Sequence, residues 1–376
     1  MLIERNAQSL IKNKLSSGKV LVLLGARRVG KTFLLKHLIE NTAEKYIFWN
    51  GEDFGVHDLL KRRSIQNYKN ILGDATLLII DEAQKIPDAG SILKLIVDSF
   101  ENLKIIVTGS SAFDITNLTG EPLTGRKIEI NIFPVAENEF YKIEKPEQRF
   151  DNLIHRLVFG NMPELINLNN KSDKEEYLRT LISSYLLKDI LAFENLRSSS
   201  KLFELLKLIA FQVGNEVSVQ ELGRQLSMSK NTIEKYLDIL SKVFVIYKLT
   251  SFSRNLRKEI VKNAKWCFYD NGIRNAIVAN FNPLENRNDT GILWENYMMS
   301  ERIKHQSYSG VYANRYFWRT YDQQEIDLIE EREGKLFAYE FKWNKGKEAA
   351  PVAWKGAYPE STFKTITKEN YLDWII

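Results

Sequence analysis

The sequence is poor in cysteine, histidine and long apolar runs, and these shortages exclude several classes of protein. Its 376 residues include a single cysteine, Cys267, which excludes an internal disulfide framework and a cysteine-rich zinc site. The four histidines are scattered without the spacing of metal ligands. No apolar run approaches the roughly 20 residues of a membrane span, and Met1–Lys12 lacks the apolar stretch of a signal peptide. We therefore expect a cytoplasmic protein with no membrane partner.

Composition and charge are those of ordinary globular proteins. Hydrophobic residues make up 44% and charged residues 27% of the chain, whose length predicts two or three domains. The net charge of +5 and the isoelectric point of about 8.9 permit a nucleic-acid partner without requiring one. Apolar neighbours around Cys267 predict a buried strand, so we interpret this thiol as a core residue.

The amino-terminal part alternates strand-like and helical patterns. An apolar run at Lys19–Leu24 precedes a glycine-bounded loop and a helical pattern at Thr32–Ile39. Further strand-like runs are Tyr46–Trp49, Leu77–Ile80, Lys104–Val107 and Lys127–Ile132. Strands that alternate with helices predict an α/β domain with a parallel sheet covered by helices.

The loop after the first strand fits the pattern G-x-x-x-x-G-K-[ST] and lies directly between a strand and a helix, as its mechanism requires. Glycines let backbone N–H groups wrap phosphates at the positive end of the helix dipole. Lys31 is predicted to reach the β- and γ-phosphates of ATP, and Thr32 to ligate magnesium. The predicted nucleotide contacts are Gly25, Ala26, Arg27, Arg28, Val29, Gly30, Lys31, Thr32 and Phe33.

A second motif, Leu77–Glu82, is an apolar strand that ends in two carboxylates. The two carboxylates are expected at the carboxyl end of the sheet, beside the phosphate-binding loop (P-loop) of a neighbouring strand. This is the arrangement of a Walker B motif. Asp81 is predicted to hold the magnesium shell. Glu82 is predicted to accept a proton from, or orient, the water that attacks the γ-phosphate. The alternative is a surface strand end with two solvated acids.

Two further polar positions are candidates for the catalytic site. The run Ile105–Ser111 ends a strand in small polar residues, and Ser110 is chosen as the residue that senses the γ-phosphate or positions the water; the alternative is a simple strand-to-loop turn. Arg126 follows a glycine turn, and its guanidinium would stabilise transition-state charge in its own subunit or in an adjacent one of a homo-oligomer. The alternative is a solvated arginine.

These motifs together carry a resemblance. From Ile11 to about Asp189 the chain resembles the prokaryotic AAA-type ATPases, often called archaeal-type ATPases, that carry a carboxy-terminal domain of unknown function. The matching stretches are the P-loop, Asp81–Gln84, Thr108–Ser111, Gly125–Arg126, Phe133–Pro134, Phe159–Glu164 and Tyr185–Ile190. Phe159-Gly160-Asn161 departs from the more glycine-rich run typical of that position. The resemblance implies an ATPase fold with an arginine acting at the nucleotide, and it implies no particular substrate.

Residues 1–140 are thus predicted as the AAA-type core, followed by a helical lid and linker at 141–200. Residues 201–262 read as two helices joined by a short turn and followed by two strand-like runs, which predicts a winged helix-turn-helix. Its outward residues Lys230, Asn231 and Lys235, with Arg254, Arg257 and Lys258 on the wing, would meet DNA. The alternative is packing against another protein.

Residues 263–376 resemble the PD-(D/E)XK nucleases, a restriction-endonuclease-like α/β fold. Glu295 lies on a helical pattern, Asp327 on a strand, and Glu340 and Lys342 on one face of the next strand. In that superfamily such acids ligate magnesium and the lysine steadies the attacking hydroxide or the phosphorane charge. Short E-x-K patterns also occur on exposed strands, and related folds have lost cleavage. The acidic stretch Glu330–Gly334 is predicted to be a solvated hairpin turn.

Three functions remain open from the sequence. The main hypothesis is an ATP- and magnesium-dependent switch or motor whose carboxy-terminal half engages nucleic acid. The second is a magnesium-dependent nuclease gated by the nucleotide. The third is a regulatory protein that uses nucleotide state to control assembly, with the winged helix bound to protein.

Overall fold

The computed structural model describes residues 3–109, 123–186, 199–253, 264–345 and 349–376. The chain divides into two compact units. The first holds the residues up to Phe133 together with Lys242–Phe244, and the second holds Pro134–Ser241 and Val245–Ile376. The boundary at Phe133 lies shortly before the predicted one at residue 140. Apart from Lys242–Phe244, the regions predicted as lid, winged helix and nuclease-like domain fall within the second unit.

The first unit is built on a five-stranded sheet. Its strands are β1 (Val20–Leu24), β2 (Tyr46–Asn50), β3 (Leu77–Asp81), β4 (Lys104–Gly109) and β5 (Lys127–Asn131). They pair in the order β2-β3-β4-β1-β5, and every pairing is parallel. The sequence-based prediction of a parallel α/β sheet is therefore confirmed.

Helices accompany this sheet because its central strands are apolar on both faces. Every residue of β1 and β3 is buried, as a parallel sheet covered on both sides requires. The helices of the first unit are α1 (Asn6–Lys14), α2 (Lys31–Glu40), α3 (Phe54–Lys61), α4 (Ile65–Leu72) and α5 (Ala89–Ser99). Side chains of α3, α4 and α5 join β1, β3 and β4 in one hydrophobic core.

The second unit has ten helices in the part of the chain that the structure describes. They are α6 (Glu137–Tyr141), α7 (Arg149–Phe159), α8 (Lys171–Thr180), α9 (Ser199–Phe211), α10 (Val219–Leu226), α11 (Lys230–Lys242), α12 (Asn271–Ile277), α13 (Thr290–Ser309), α14 (Val352–Ala357) and α15 (Leu372–Ile375). The chain continues from α8 into a π-helical segment, Leu181–Leu186.

A seven-stranded sheet runs through the second unit. Its strands are β6 (Glu216–Val217), β7 (Ile246–Ser251), β8 (Ala264–Phe268), β9 (Asn314–Arg319), β10 (Glu325–Arg332), β11 (Lys335–Phe341) and β12 (Thr362–Ile366). The order is β12-β11-β10-β9-β7-β8-β6. A short parallel pairing of β7 with β9 joins the strands of the predicted winged helix to those of the predicted nuclease-like core. Two regions that the sequence presents as separate domains thus share one sheet.

The hairpin between β10 and β11 is tighter than predicted, and its charge is not all solvated. Only Glu333 and Gly334 form the turn, with φ of +50° and +76°, the left-handed values that favour a two-residue hairpin loop. Glu330 belongs to β10 and is completely buried. Its Oε1 lies 2.7 Å from Nε of Arg302 on α13. The prediction that Glu330 is a solvated turn residue was wrong, because a partner distant in sequence neutralises it.

Buried polar contacts hold the turn after α7 against later helices. Gly160 has φ of +77°, and a Cβ there would lie 2.0 Å from Oδ1 of Asp270. Asn161 N–H donates to Oδ2 of Asp270 at 2.7 Å, and its amide donates to Oε1 of Glu301 at 3.0 Å. A single glycine, Gly160, therefore provides the left-handed conformation that this turn needs. Cys267 is buried in β8, which confirms its interpretation as a core residue.

None of the helices in the described ranges is both long and apolar enough to span a lipid bilayer.

Candidate nucleotide-binding site

The P-loop connects the end of β1 at Leu24 to the start of α2 at Lys31. Close backbone approach requires Gly25, because a Cβ there would lie 2.1 Å from the carbonyl oxygen of Ile132. Arg28 and Gly30 take left-handed φ values of +64° and +94°. The loop therefore turns sharply between strand and helix, as a phosphate-binding loop must.

The start of α2 provides hydrogen-bond donors for an anion. The first N–H groups of a helix have no partners within it, and Gly30, the N-cap residue, has no side chain to cap them. The Lys31 ammonium is buried and donates to the carbonyl oxygens of Gly25 at 2.8 Å and Ala26 at 2.9 Å. Phe33, by contrast, is exposed. Positive charge and helix dipole thus converge at this loop.

A chain of hydrogen bonds joins α2 to the acid pair. Thr32 Oγ1 donates to Oδ2 of Asp81 at 2.7 Å, and Thr108 Oγ1 donates to Oδ1 of the same carboxylate. The Thr108 oxygen also accepts from the backbone N–H of Glu82 at 2.9 Å. Thr108 is completely buried and Asp81 nearly so. The structure therefore brings Thr32, Asp81 and Glu82 together, as the sequence predicts.

Strand order explains why Thr108 occupies this position. The sequence predicts that the acids lie on a strand next to the P-loop strand, but β4 lies between β1 and β3. The end of β4 therefore separates the P-loop strand from the acid pair and contributes a hydroxyl. The sequence predicted no role for Thr108. Its position could have been noticed because it is a polar residue directly after the apolar run Ile105–Val107.

Glu82 is held in an unusual backbone conformation by its neighbours. Its φ of +51° lies in the left-handed region, and its Oε2 accepts from Nε2 of Gln84 at 2.5 Å. The N–H of Gly51 donates to the carbonyl oxygen of Asp81 at 2.7 Å. A Cβ on Gly51 would lie 2.2 Å from the carbonyl oxygen of Glu82. Gln84, which the sequence singled out only as part of the resemblance, and Gly51, which it did not single out, are thus further residues of the site.

Arg126 lies at the end of the sheet opposite to the P-loop, where the parallel strands begin. Its carbonyl accepts from the N–H of Val20, the first residue of β1, whereas the P-loop follows the last residue of that strand. Five residues of extended strand separate the two levels by about 16 Å. Its Nε lies 2.6 Å from Oδ1 of Asp98. The geometry argues against the predicted role of Arg126 within its own chain, and a role in an adjacent subunit stays a prediction. Ser110 lies outside the described residues.

A buried arginine braces the loop from behind. Nη1 of Arg5 donates to the carbonyl oxygen of Val29 at 2.9 Å, and Nη2 donates to that of Phe133 at 2.6 Å. Arg5 is almost fully buried, so its guanidinium ties the P-loop to the segment after β5. No sequence pattern near Arg5 indicates this, because both partners are carbonyl groups far along the chain.

The residues present fit a magnesium-bound nucleotide. The Thr32 hydroxyl and the Asp81 carboxylate are oxygen ligands of the kind magnesium prefers, and they already lie together. No set of three or more His, Cys, Asp or Glu side chains in the described ranges is grouped to hold a metal ion. Such a set is not needed, because magnesium in nucleotide sites takes one or two protein ligands and completes its shell with phosphate and water.

The four predicted nuclease residues lie in the second unit. Glu295 is on α13, Asp327 on β10 and Glu340 on β11, and Lys342 follows β11. Lys342 Nζ lies 2.7 Å from Oε1 of Glu340. Burial and the neighbouring charges of Glu295 and Glu340 raise the pKa of Asp327 well above its ordinary value. The four residues therefore converge.

Replacing Thr108 with valine keeps the side-chain shape but removes both hydrogen bonds to the acid pair. We expect the affinity for magnesium in the presence of an ATP analogue to fall roughly tenfold, or about 1.4 kcal/mol, because Asp81 loses a fixed orientation. The unpaired Glu82 N–H should lower the free energy of unfolding by about 1–3 kcal/mol. Magnesium titration and urea unfolding measure the two effects. Thr108→Ser is the control, and unchanged magnesium affinity in Thr108→Val would refute the role.

Replacing Arg5 with methionine removes the brace behind the P-loop. We expect weaker ATP binding in isothermal titration and a lower midpoint of urea unfolding, since two buried carbonyl groups lose a charged donor. Lys12→Met, on the exposed face of α1, is the matched control for loss of one positive charge. Equal ATP affinity of the Arg5 variant and the wild type would show that the brace is irrelevant to the site.

Family models match three parts of the chain. An AAA domain model matches residues 17–141, and two domains of unknown function, DUF8612 and DUF4143, match residues 150–285 and 290–356. An uncharacterized protein of Mycobacterium tuberculosis is 25% identical over 346 residues, 91% of this chain and 74% of that protein. An uncharacterized protein of Haemophilus influenzae is 26% identical over 311 residues, 75% of this chain and 76% of that protein.

Solved structures show weaker similarity. A Pyrococcus horikoshii signal transduction ATPase with numerous domains has a TM-score of 0.31 at 14% identity, covering 82% of this chain and 47% of that one. Domain III of the Thermotoga maritima replication initiation protein DnaA has a TM-score of 0.30 at 14% identity, covering 59% and 88%. TM-scores this low do not establish a common fold. The AAA domain match and the P-loop geometry together identify the amino-terminal unit as an AAA-type P-loop ATPase domain.

Proposed function

We propose that this protein is an ATP- and magnesium-dependent hydrolase whose second unit engages nucleic acid. The observation that carries the first part is the hydrogen-bonded chain from Thr32 through Asp81 and Thr108 to Glu82. In this proposal the Thr32 hydroxyl and the Asp81 carboxylate would bind magnesium, and Glu82 follows Asp81 directly in the chain. A strand end with two solvated acids would show neither the burial of Asp81 nor its two hydroxyl donors.

Each residue of the site has a distinct task in this proposal. The N–H groups from Gly25 to Phe33 and the Lys31 ammonium bind the phosphates. Thr32 and Asp81 would hold magnesium, which when bound supplies positive charge that offsets the negative charge of the phosphates. Glu82 accepts the proton of the attacking water. Ser110 as γ-phosphate sensor and Arg126 as a residue acting across a homo-oligomer remain proposals from the sequence.

The Glu82 carboxylate that would accept this proton is already engaged. Its Oε2 accepts a hydrogen bond from Nε2 of Gln84. In this proposal the Glu82 side chain turns from Gln84 to the attacking water when the nucleotide is bound.

The proposal for nucleic acid rests on the arrangement of α9 to α11 with three strands. β8 pairs antiparallel with both β6 and β7, and α10 and α11 lie in sequence between β6 and β7. This is the element order of a winged helix, in which the second helix of the helix-turn-helix enters the major groove. Lys230, Asn231 and Lys235 are exposed at the start of α11. The wing residues Arg254, Arg257 and Lys258 lie outside the described residues.

Protein binding is the alternative for α11, and its charges favour it. Glu234 lies on the same exposed face, with Oε1 3.6 Å from Nζ of Lys230. A face of mixed sign attracts the phosphate backbone less than a purely basic one. The regulatory function without cleavage therefore remains the second candidate, with the winged helix bound to protein.

Two variants of the nucleotide site test the ATPase proposal. Lys31→Ala should lose ATP binding in isothermal titration, because the phosphates lose their buried cation. Glu82→Gln should bind ATP with wild-type affinity yet hydrolyse it roughly 10²–10⁴-fold more slowly, as expected for loss of a general base. Unchanged affinity in the first variant, or unchanged turnover in the second, would reject the corresponding role. In mixtures, Arg126→Ala and Glu82→Gln should partly restore each other's activity if Arg126 acts between subunits.

Fluorescence anisotropy with a labelled DNA duplex tests the nucleic-acid proposal. The wild type should bind with an affinity that falls as salt rises, and Lys230→Ala/Lys235→Ala should reduce the slope of log affinity against log salt by about 2, because each phosphate contact contributes about 1. Lys12→Ala/Lys14→Ala, two exposed lysines of α1, is the control of equal charge. Binding that is absent, or independent of the two α11 lysines, would favour the protein-interaction alternative.

A further inference from the structure

A buried lysine lies among the acids of the predicted nuclease site. We define the lysine–carboxylate cluster as Lys265, Glu295, Glu325, Asp327 and Glu340. Lys265 is in β8, which begins just past the predicted winged-helix bound at residue 262 and pairs with its strands β6 and β7, and its side chain is 1% exposed. Its Nζ lies 2.5 Å from Oε1 of Glu325 and 3.5 Å from Oε1 of Glu295. The ammonium of one part of the second unit therefore enters the acidic cluster of another.

The cluster is enclosed around Lys265. Phe317 lies on β9, the strand next to the one that carries Glu325. The centroid of its ring is 5.3 Å from Nζ of Lys265. A Cβ on Gly214, in the turn between α9 and β6, would lie 3.2 Å from Oε2 of Glu295. Nη1 of Arg319 lies 3.6 Å from Glu216 on β6. Strands and a turn of the proposed winged helix thus close one side of the acids, and Lys342 is left on the more exposed side, with Glu340.

The charges of the cluster depend on one another. Burial and the neighbouring carboxylate of Glu325 raise the pKa of Glu295, while Lys265 opposes this rise. Burial acts to lower the pKa of Lys265, but Glu295 and Glu325 raise it above its ordinary value. The Lys265 ammonium, at ion-pair distance from Glu325 and Glu295, supplies positive charge that offsets the repulsion among these partly buried acids.

An ammonium in this position is incompatible with a magnesium ion on the same oxygens. Magnesium requires ligand oxygens at about 2.0–2.1 Å in octahedral geometry, and usually keeps several waters. Oε1 of Glu325 is already paired with the Lys265 ammonium at 2.5 Å. Oε1 of Glu295 accepts no hydrogen bond from the described residues, but it lies 3.5 Å from the same ammonium, which would repel a second cation between the two oxygens. The residues present therefore do not fit the metal that a nuclease of this type needs.

We propose that the Lys265 ammonium takes the place of a divalent cation in this cluster, so that the second unit binds no catalytic magnesium there and does not cut nucleic acid by metal-ion chemistry. The lysine also ties β8 to α13 and β10 by charge. The cluster becomes an internal structural link between the proposed winged helix and the core beside it. This inference does not depend on ATP turnover, which takes place in the other unit.

The proposal is tested by measuring how much manganese the full chain binds. Bound manganese is detected as a loss of the free-ion signal in electron paramagnetic resonance. Wild type and Glu295→Gln should bind equal amounts without nucleotide, because the cluster contributes no site. Lys265→Ala should bind one further equivalent, and Lys265→Ala/Glu295→Gln should lose it. Any manganese bound near the P-loop is the same in all four proteins, so it does not affect the differences between them.

Each outcome decides the proposal. Manganese bound by the wild type and lost in Glu295→Gln would overturn it, and this comparison stands even if Lys265→Ala does not fold. A folded Lys265→Ala variant that gains no site would also overturn it, because the acids would then not be a cation site at all. A nuclease assay with plasmid DNA and magnesium gives a second test. The wild type and Lys342→Ala should both leave the plasmid intact, and cutting by the wild type that Lys342→Ala abolishes would refute the proposal.

Discussion

The hydroxyl of Thr108 links the two acids on which nucleotide chemistry in this protein depends. It donates to Asp81 and accepts from the backbone of Glu82, so one buried side chain orients both. Thr32 completes the connection from the P-loop helix to Asp81. This geometry exists because β4 lies between β1 and β3 in the sheet. The insertion of a third strand, rather than direct contact between two motif-bearing strands, determines how the P-loop and the acids meet.

Several buried charges in the second unit have partners from distant parts of the chain. Arg156 on α7 lies 2.8 Å from Glu137, Arg302 on α13 lies 2.7 Å from Glu330, and Lys265 on β8 contacts Glu325. Removing one partner of such a pair typically costs about 3–5 kcal/mol, because the remaining charge is left buried without a counter-charge. These pairs therefore constrain which helices and strands pack together within the second unit.

The lysine–carboxylate cluster shows how the same residues can support opposite functions. The pattern of Glu295, Asp327, Glu340 and Lys342 is compatible with a metal-dependent nuclease, and the structure brings these residues together. A fifth residue, Lys265, changes the chemistry because it provides a fixed positive charge from a neighbouring strand.

The sequence by itself determined the parallel sheet, the P-loop and the Walker B acids, because strand periodicity, glycine spacing and paired carboxylates are local patterns. The predicted bounds of these strands agree with the structure to within one or two residues. Only the tertiary structure decided the roles of Thr108, Arg5, Glu330 and Lys265 and the position of Arg126. Each depends on a partner many residues away, and strand order, which selects that partner, leaves no local pattern in the sequence.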